Sequence, residues 1–246
     1  MAYINKMKRQ NIVICACASR SFISKEQVAE LAATLQQAGY NVTIEADLCE
    51  TAETTPARMR ELVSGNIIMG CYTRALRALA DRADCSAAKN INIRGRKVEQ
   101  ILNDLNLDNA MPHDEQWQAL RYAALAEINA FAVKVATDAW YPVLDYDKCV
   151  ACGKCHDFCL FGVYAIEDGK VKVAQPQNCK NNCPACSRVC PAEAVIFPKY
   201  ERSPINGGSA SEEGIIMLDM DTMYADALRA RLEQRRASVM LFKDKK

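Results

Sequence analysis

Eight cysteines between positions 149 and 190 constrain this chain more than any other feature. The first run reads Cys149-x2-Cys152-x2-Cys155-x3-Cys159, and the second reads Cys179-x3-Cys183-x2-Cys186-x3-Cys190, with Pro191 next. Three thiols at such short spacing wrap one inorganic core in a tight loop, and a fourth thiol comes from elsewhere. This is the spacing of a pair of [4Fe–4S] clusters, whose ordinary work is to take and give single electrons. Four-cysteine zinc sites also use C-x2-C pairs, but they set two pairs a dozen or more residues apart. A disulfide framework would need an oxidising compartment.

The two runs resemble the bacterial-type two-cluster ferredoxin module, over about residues 141–200. That resemblance implies that the fourth cysteine of each run crosses to the other cluster. Cluster I would take Cys149, Cys152, Cys155 and Cys190, and cluster II would take Cys179, Cys183, Cys186 and Cys159. Between the runs, Val163–Ile166 and Val171–Val173 read as short strands around Asp168-Gly169, a strong hairpin signal. Two departures stand out. Leu160 sits where the first run would ordinarily carry proline, and an extra residue lies between Cys179 and Cys183, which makes Cys179 the least secure ligand of the eight.

The chain has 246 residues, half of them hydrophobic, enough for two small domains. A net charge of +1 gives no global field toward nucleic acid or an anionic membrane. Thirteen cysteines with no export signal and no membrane-length apolar run point to the reducing cytoplasm.

The first hundred residues alternate strand and helix. Strands are expected at 11–14, 41–46, 66–70 and 91–93. A helix opens at the capping-box sequence Ser24–Gln27 and ends at Gly39. A second runs from Pro56 to Gly65, and a third lies around Arg74–Arg82. This order implies an α/β domain with an open parallel sheet over residues 1–112. Residues 113–140 form a connecting helix from Asp114 to about Trp140, striped by Trp117, Leu120, Ala124, Ile128, Phe131 and Val135. An α+β ferredoxin-like module follows over 141–200, then a loop and a C-terminal helix, Asp221–Arg236, over 201–246. That helix carries Tyr224, Leu228 and Leu232 on one face, suited to its own domain, a partner or a membrane surface.

The other five cysteines fall near strand ends. Cys15 and Cys17 follow the first strand, Cys49 the second and Cys71 the third. In an open parallel sheet, these carboxyl ends share one edge, where ligands gather. The pattern Ile14-Cys-Ala-Cys17, Asp47-Leu-Cys49 and Ile68-Met-Gly-Cys71 resembles the N-terminal domain of the FAD-binding subunit of heterodisulfide reductase. The resemblance implies a third [4Fe–4S] cluster on Cys15, Cys17, Cys49 and Cys71. Buried thiols, a redox-active thiol or a zinc site are the alternatives. Cys85 is left over, as a substitute for Cys17. No glycine-rich dinucleotide loop is present, so no flavin or NAD site is expected, a departure from that family.

No catalytic residue stands out. His113 reads as solvent-facing. His156, inside the first cysteine loop, is either exposed or hydrogen-bonded near a sulfur. Ser19-Arg20-Ser21 is either an anion cradle or a plain helix entry. Tyr146, Phe158, Phe161, Tyr164 and Phe197 are expected to shield the clusters or to form core. The expected function is a one-electron iron–sulfur relay within a larger oxidoreductase system, served by a flavin enzyme, metal enzyme or other carrier. The alternatives are a thiol–disulfide reductase using Cys15 and Cys17, and an iron–sulfur redox sensor.

Overall fold

The computed structural model describes residues 11–107, 114–131 and 139–209, which fall within one compact unit. The C-terminal helix, His113, Val135 and the end of the connecting segment lie outside the described residues.

A four-stranded parallel sheet organises the first part. Its strands are β1 (Asn11–Cys15), β2 (Asn41–Glu45), β3 (Ile67–Gly70) and β4 (Lys89–Asn92), in the order β2-β1-β3-β4. β1 is apolar on both sides because both sheet faces are covered. Ile12 and Ile14 enter one core, and Val13 and Cys15 enter the other. Burying Ile12 and Ile14 fully stabilises the fold by about 1.5–3 kcal/mol each.

The first face is covered by α1 (Lys25–Gln37), and by α6 (Glu115–Ala130) laid antiparallel beside it. Ser24 caps α1 by accepting from the Gln27 backbone N–H at 3.1 Å. Gln27 does not return the bond; its amide donates to the Ile93 and Arg96 carbonyls, so half the expected capping box is spent on tertiary structure. Across the helix pair the Trp117 indole N–H donates to Thr34 Oγ1 at 3.0 Å, and Lys25 Nζ donates to Asn129 Oδ1 at 2.8 Å. α6 is shorter than expected. It ends at Ala130, where Phe131 turns to extended backbone, and Trp117, Ala124 and Ile128 form its buried stripe.

The second face carries α2 (Leu48–Thr54), α3 (Pro56–Val63) and α4 (Thr73–Arg82). α2 lies outside the expectations above. It is short and polar, and Asp47 starts it by accepting from the Cys49 and Glu50 N–H groups. A further short helix, α5 (Val98–Asn103), follows β4 and sends Ile101 and Leu102 into the first core.

The cysteine-rich part packs on this second face, where Tyr141, Val143 and Ile196 join the second core. It contains β5 (Val143–Leu144), α7 (Lys154–Phe158), β6 (Tyr164–Glu167), β7 (Lys170–Val173), α8 (Ala185–Arg188) and β8 (Val195–Ile196). β6 and β7 form the expected hairpin, with Asp168 at φ 50° and Gly169 at φ 72°, the left-handed pair that such a turn requires. β5 pairs antiparallel with β8, so the chain enters and leaves this part at one place.

Past Pro198, residues expected to loosen instead pack closely. Asn206, Gly207 and Gly208 are buried, and the Phe197 N–H donates to the Ile205 carbonyl at 2.7 Å. Gly207 has φ 92°, and a Cβ there would lie 3.1 Å from the Ala75 backbone nitrogen in α4. Gly207→Ala is therefore expected to lower stability by about 1–3 kcal/mol, checked by chemical denaturation against wild type.

Candidate iron–sulfur site

Backbone geometry shapes both cysteine loops. In the first, Ala151 at φ 52° and Gly153 at φ 73° turn the chain so that α7 starts inside the loop and buries Cys155. In the second, the extra residue between Cys179 and Cys183 is taken up by a turn with Asn182 at φ 59°. Asparagine tolerates this conformation better than most residues. Asn182 is also held from across the molecule, where Arg20 donates to its side-chain carbonyl at 2.9 Å.

The thiols sort into two groups, each drawing on both runs. Cys149, Cys152, Cys155 and Cys190 line one space together with Leu144, Val171 and Val195. Cys159, Cys179, Cys183 and Cys186 line another, with Pro142, Val163 and Tyr164 among its walls. The second space is the larger, about 500 Å³ against about 10 Å³, and in the first Cys152 is the exposed thiol. Donors point at the sulfurs. The Ala194 N–H reaches Cys190 Sγ at 3.3 Å, and the buried Tyr164 hydroxyl donates to Cys186 Sγ at 3.0 Å. Burial pushes Cys155 and Cys186 up to about 11 and Cys179 up to about 12, and neighbouring thiols add to each shift. Four sulfur donors, an apolar wall and hydrogen bonds to sulfur suit the chemistry of an iron–sulfur cluster.

The five remaining thiols separate into four and one. Ile14 is level with Met69 in the sheet, so Cys15 stands beside Gly70, one residue before Cys71. Cys17 follows in a turn at φ 49°, and Cys49 opens α2. Cys15 is raised by burial and by Cys17, Asp47 and Cys71. Cys49 is raised by burial, Asp47, Cys71 and Cys15, against the charge of Lys199. Burial also pushes Cys17 up to about 11 and Cys71 up to about 12. These four thiols stand in the segments that follow β1, β2 and β3, at the carboxyl edge of the sheet, where the strand order reverses between β1 and β3. Cys85 does not join them. It precedes β4 at the opposite edge, donates to the Ala80 carbonyl, and feels Arg60, Asp81 and Asp84 instead.

Among the described residues, no group of three or more His, Cys, Asp or Glu side chains is arranged to hold a metal ion. Thiols that share a cubane sit on separate iron corners and stand farther apart than thiols on one zinc ion.

Several other expectations are corrected or decided. Tyr164 and Phe197 are buried; Tyr146, Phe158 and Phe161 are part-exposed, and Phe158 and Phe161 line the second thiol space together with Tyr164. His156 is half-exposed and bonds Asp157 through Nδ1 at 2.9 Å. Ser19 is no anion cradle, because its hydroxyl lies between Asp47 and Lys199.

Sequence reasoning missed the charged groups around the site. Lys199 Nζ reaches Asp47 Oδ2 at 2.6 Å with both side chains buried, and Arg94 stacks over Phe22 at 4.0 Å. Asp145, almost fully buried, accepts from Arg74 at 2.8 Å and Arg77 at 2.7 Å. Its backbone carbonyl accepts from the Cys149 N–H, which ties α4 to the first cysteine loop.

Two cysteine runs joined through a β-hairpin, with thiols of both runs lining each of two spaces, have the form of a ferredoxin-type module. The chain is 33% identical over 117 residues to an uncharacterized ferredoxin of Methanocaldococcus jannaschii, spanning 42% of this chain and 80% of that protein. It is 39% identical over 54 residues to a ferredoxin of Methanothermococcus thermolithotrophicus, 21% of this chain and 88% of that one. It is also 33% identical over 75 residues to the pyruvate synthase subunit PorD of M. jannaschii, 29% of this chain and 85% of PorD. No protein-family model matches. The chain belongs to the ferredoxins, although these relatives each cover less than half of it.

Proposed function

We propose that this protein is an iron–sulfur electron carrier that relays single electrons inside a larger oxidoreductase system. Its ligands would be Cys149, Cys152, Cys155 and Cys190 for cluster I, and Cys159, Cys179, Cys183 and Cys186 for cluster II. A third cluster would sit on Cys15, Cys17, Cys49 and Cys71, as the resemblance to heterodisulfide reductase implies. The observation that carries the reading is the sorting of eight thiols into two foursomes that each mix both runs. When bound, such clusters supply reversible one-electron chemistry. The chain supplies thiols, donors to sulfur and exclusion of water, and these set the potentials.

Contacts between the segments that carry the thiols support a continuous route. The Tyr141 hydroxyl donates to the Cys49 carbonyl at 2.6 Å, and Pro142, the next residue, lines the cluster II space. Cys179 packs against both the second core and the core of the cysteine-rich part. The order would be sheet edge, cluster II, cluster I. A relative named as a pyruvate synthase subunit supports service to a larger enzyme, whose partner would be a redox protein. Cysteines kept available as cluster ligands would suit a reducing compartment such as the cytoplasm. The reductase alternative needs an activated, low-pKa thiol, whereas burial pushes Cys17 up to about 11.

The test is anaerobic purification of the full chain with assay of iron and acid-labile sulfide. About twelve irons per chain are expected, four per cubane. About eight would remove the sheet-edge cluster, and zinc without iron would overturn the reading.

A further inference from the structure

Lys199 and Asp47 form a buried ion pair that the relay so far does not use. Lys199 follows β8 by three residues, beyond the last cysteine of the second run, yet its ammonium ends among the loops of the sheet edge. It donates to Ser19 Oγ and to Asp47 Oδ2, each at 2.6 Å. Ser19 lies two residues after Cys17. Asp47 lies two before Cys49, and its other oxygen accepts from the Cys49 N–H at 3.0 Å. One cation thus fastens the two loops that carry Cys17 and Cys49, and it comes from the segment just after β8. The side chains are about 3% and 5% exposed, so solvent screens their charges weakly.

We infer that Lys199 is a positioning residue for the sheet-edge centre, offsetting the Asp47 charge and so holding that centre's reduction potential up. This rests on the reading of Cys15, Cys17, Cys49 and Cys71 as cluster ligands. One-electron reduction adds one negative charge at the centre. A buried cation nearby favours that charge, and a buried anion left alone opposes it. Clusters I and II take their thiols from elsewhere, so the effect is selective. A residue of the ferredoxin part thereby sets the electron affinity of a site in the α/β domain.

The experiment uses the full chain, reconstituted anaerobically and titrated with dithionite in the presence of mediators, with iron counted and each centre's midpoint read by electron paramagnetic resonance. In Lys199→Met the sheet-edge midpoint falls while the other two hold. In Lys199→Met/Asp47→Asn, where asparagine keeps the helix cap, part of the fall is recovered. Asp47→Asn alone moves the midpoint upward, and this opposite sign decides the matter even where the methionine variant folds poorly. Lys199→Arg keeps the wild-type value. An unmoved midpoint, an equal shift in all three centres, or no recovery in the double variant overturns the inference and points to a purely structural pin. A wild-type chain with about eight irons overturns the cluster reading itself, and the inference with it. About twelve irons with an unmoved midpoint overturns the inference alone.

Discussion

Cys186→Ser is expected to strip this protein of about four irons while sparing the rest, and Cys155→Ser to do the same to a different four. The two positions lie in different runs and line different spaces, Cys155 with Cys190 and Cys186 with Cys159. Crossing makes a sharper forecast at the last cysteines. Cys159→Ser, though it sits in the first run, should damage the centre that Cys186→Ser damages, and Cys190→Ser the centre that Cys155→Ser damages. Mössbauer or paramagnetic resonance spectra of the four variants check the pairing. If Cys159→Ser and Cys155→Ser gave the same spectrum, each run would hold its own cluster and the assignment would be wrong.

The second large effect lies away from sulfur. Asp145→Ala should cost about 3 kcal/mol, because it leaves Arg74 part-buried without its carboxylate partner and removes the oxygen that accepts from the Asp147 N–H in the turn that leads to Cys149. The value sits at the low end for a broken buried pair because Arg77 reaches solvent. Anaerobic urea denaturation at neutral pH measures it, with a lower midpoint expected. The pair also carries a pH signature. Burial alone would raise the pKa of Asp145, but the hydrogen bond and charge of Arg74, with Arg77 beside it, hold the carboxyl below the usual carboxylate range. A depressed folded pKa means the stabilisation is fully present above the unfolded value near pH 4 and is lost as pH falls through the folded one. The gap between wild type and Asp145→Asn should therefore narrow below about pH 4.

What the sequence disclosed follows the range of the forces involved. The β6–β7 hairpin is legible because Asp168-Gly169 is a local conformational demand. β1 is legible as an apolar run, and α1 from a serine cap and its apolar spacing. α2 is hidden because Leu48–Thr54 is short and polar, and its cap, Asp47, reads in sequence only as part of a cysteine motif. β5 and β8 are two residues each and exist only through one another, so no local pattern announces them. The eight thiols of the ferredoxin part are visible from spacing alone. The four at the sheet edge follow from where strands end. Cys85 is placed only by the sheet, since it looks similar in sequence and belongs to the other edge. Lys199 and Asp47 escape because 152 residues separate them and nothing near either hints at the other.

The two-residue ladder between Val143 and Ile196 has a consequence for how such a protein can be built. Both ends of the segment that bears all eight thiols emerge side by side, within the spacing of paired strands, about 5 Å. The four strands of the parallel sheet all precede that segment in sequence, so the ladder closes it off after the α/β part is complete. The ferredoxin part is thus joined through a single neck, and it is at that neck that its residues enter the second core and pair with α4.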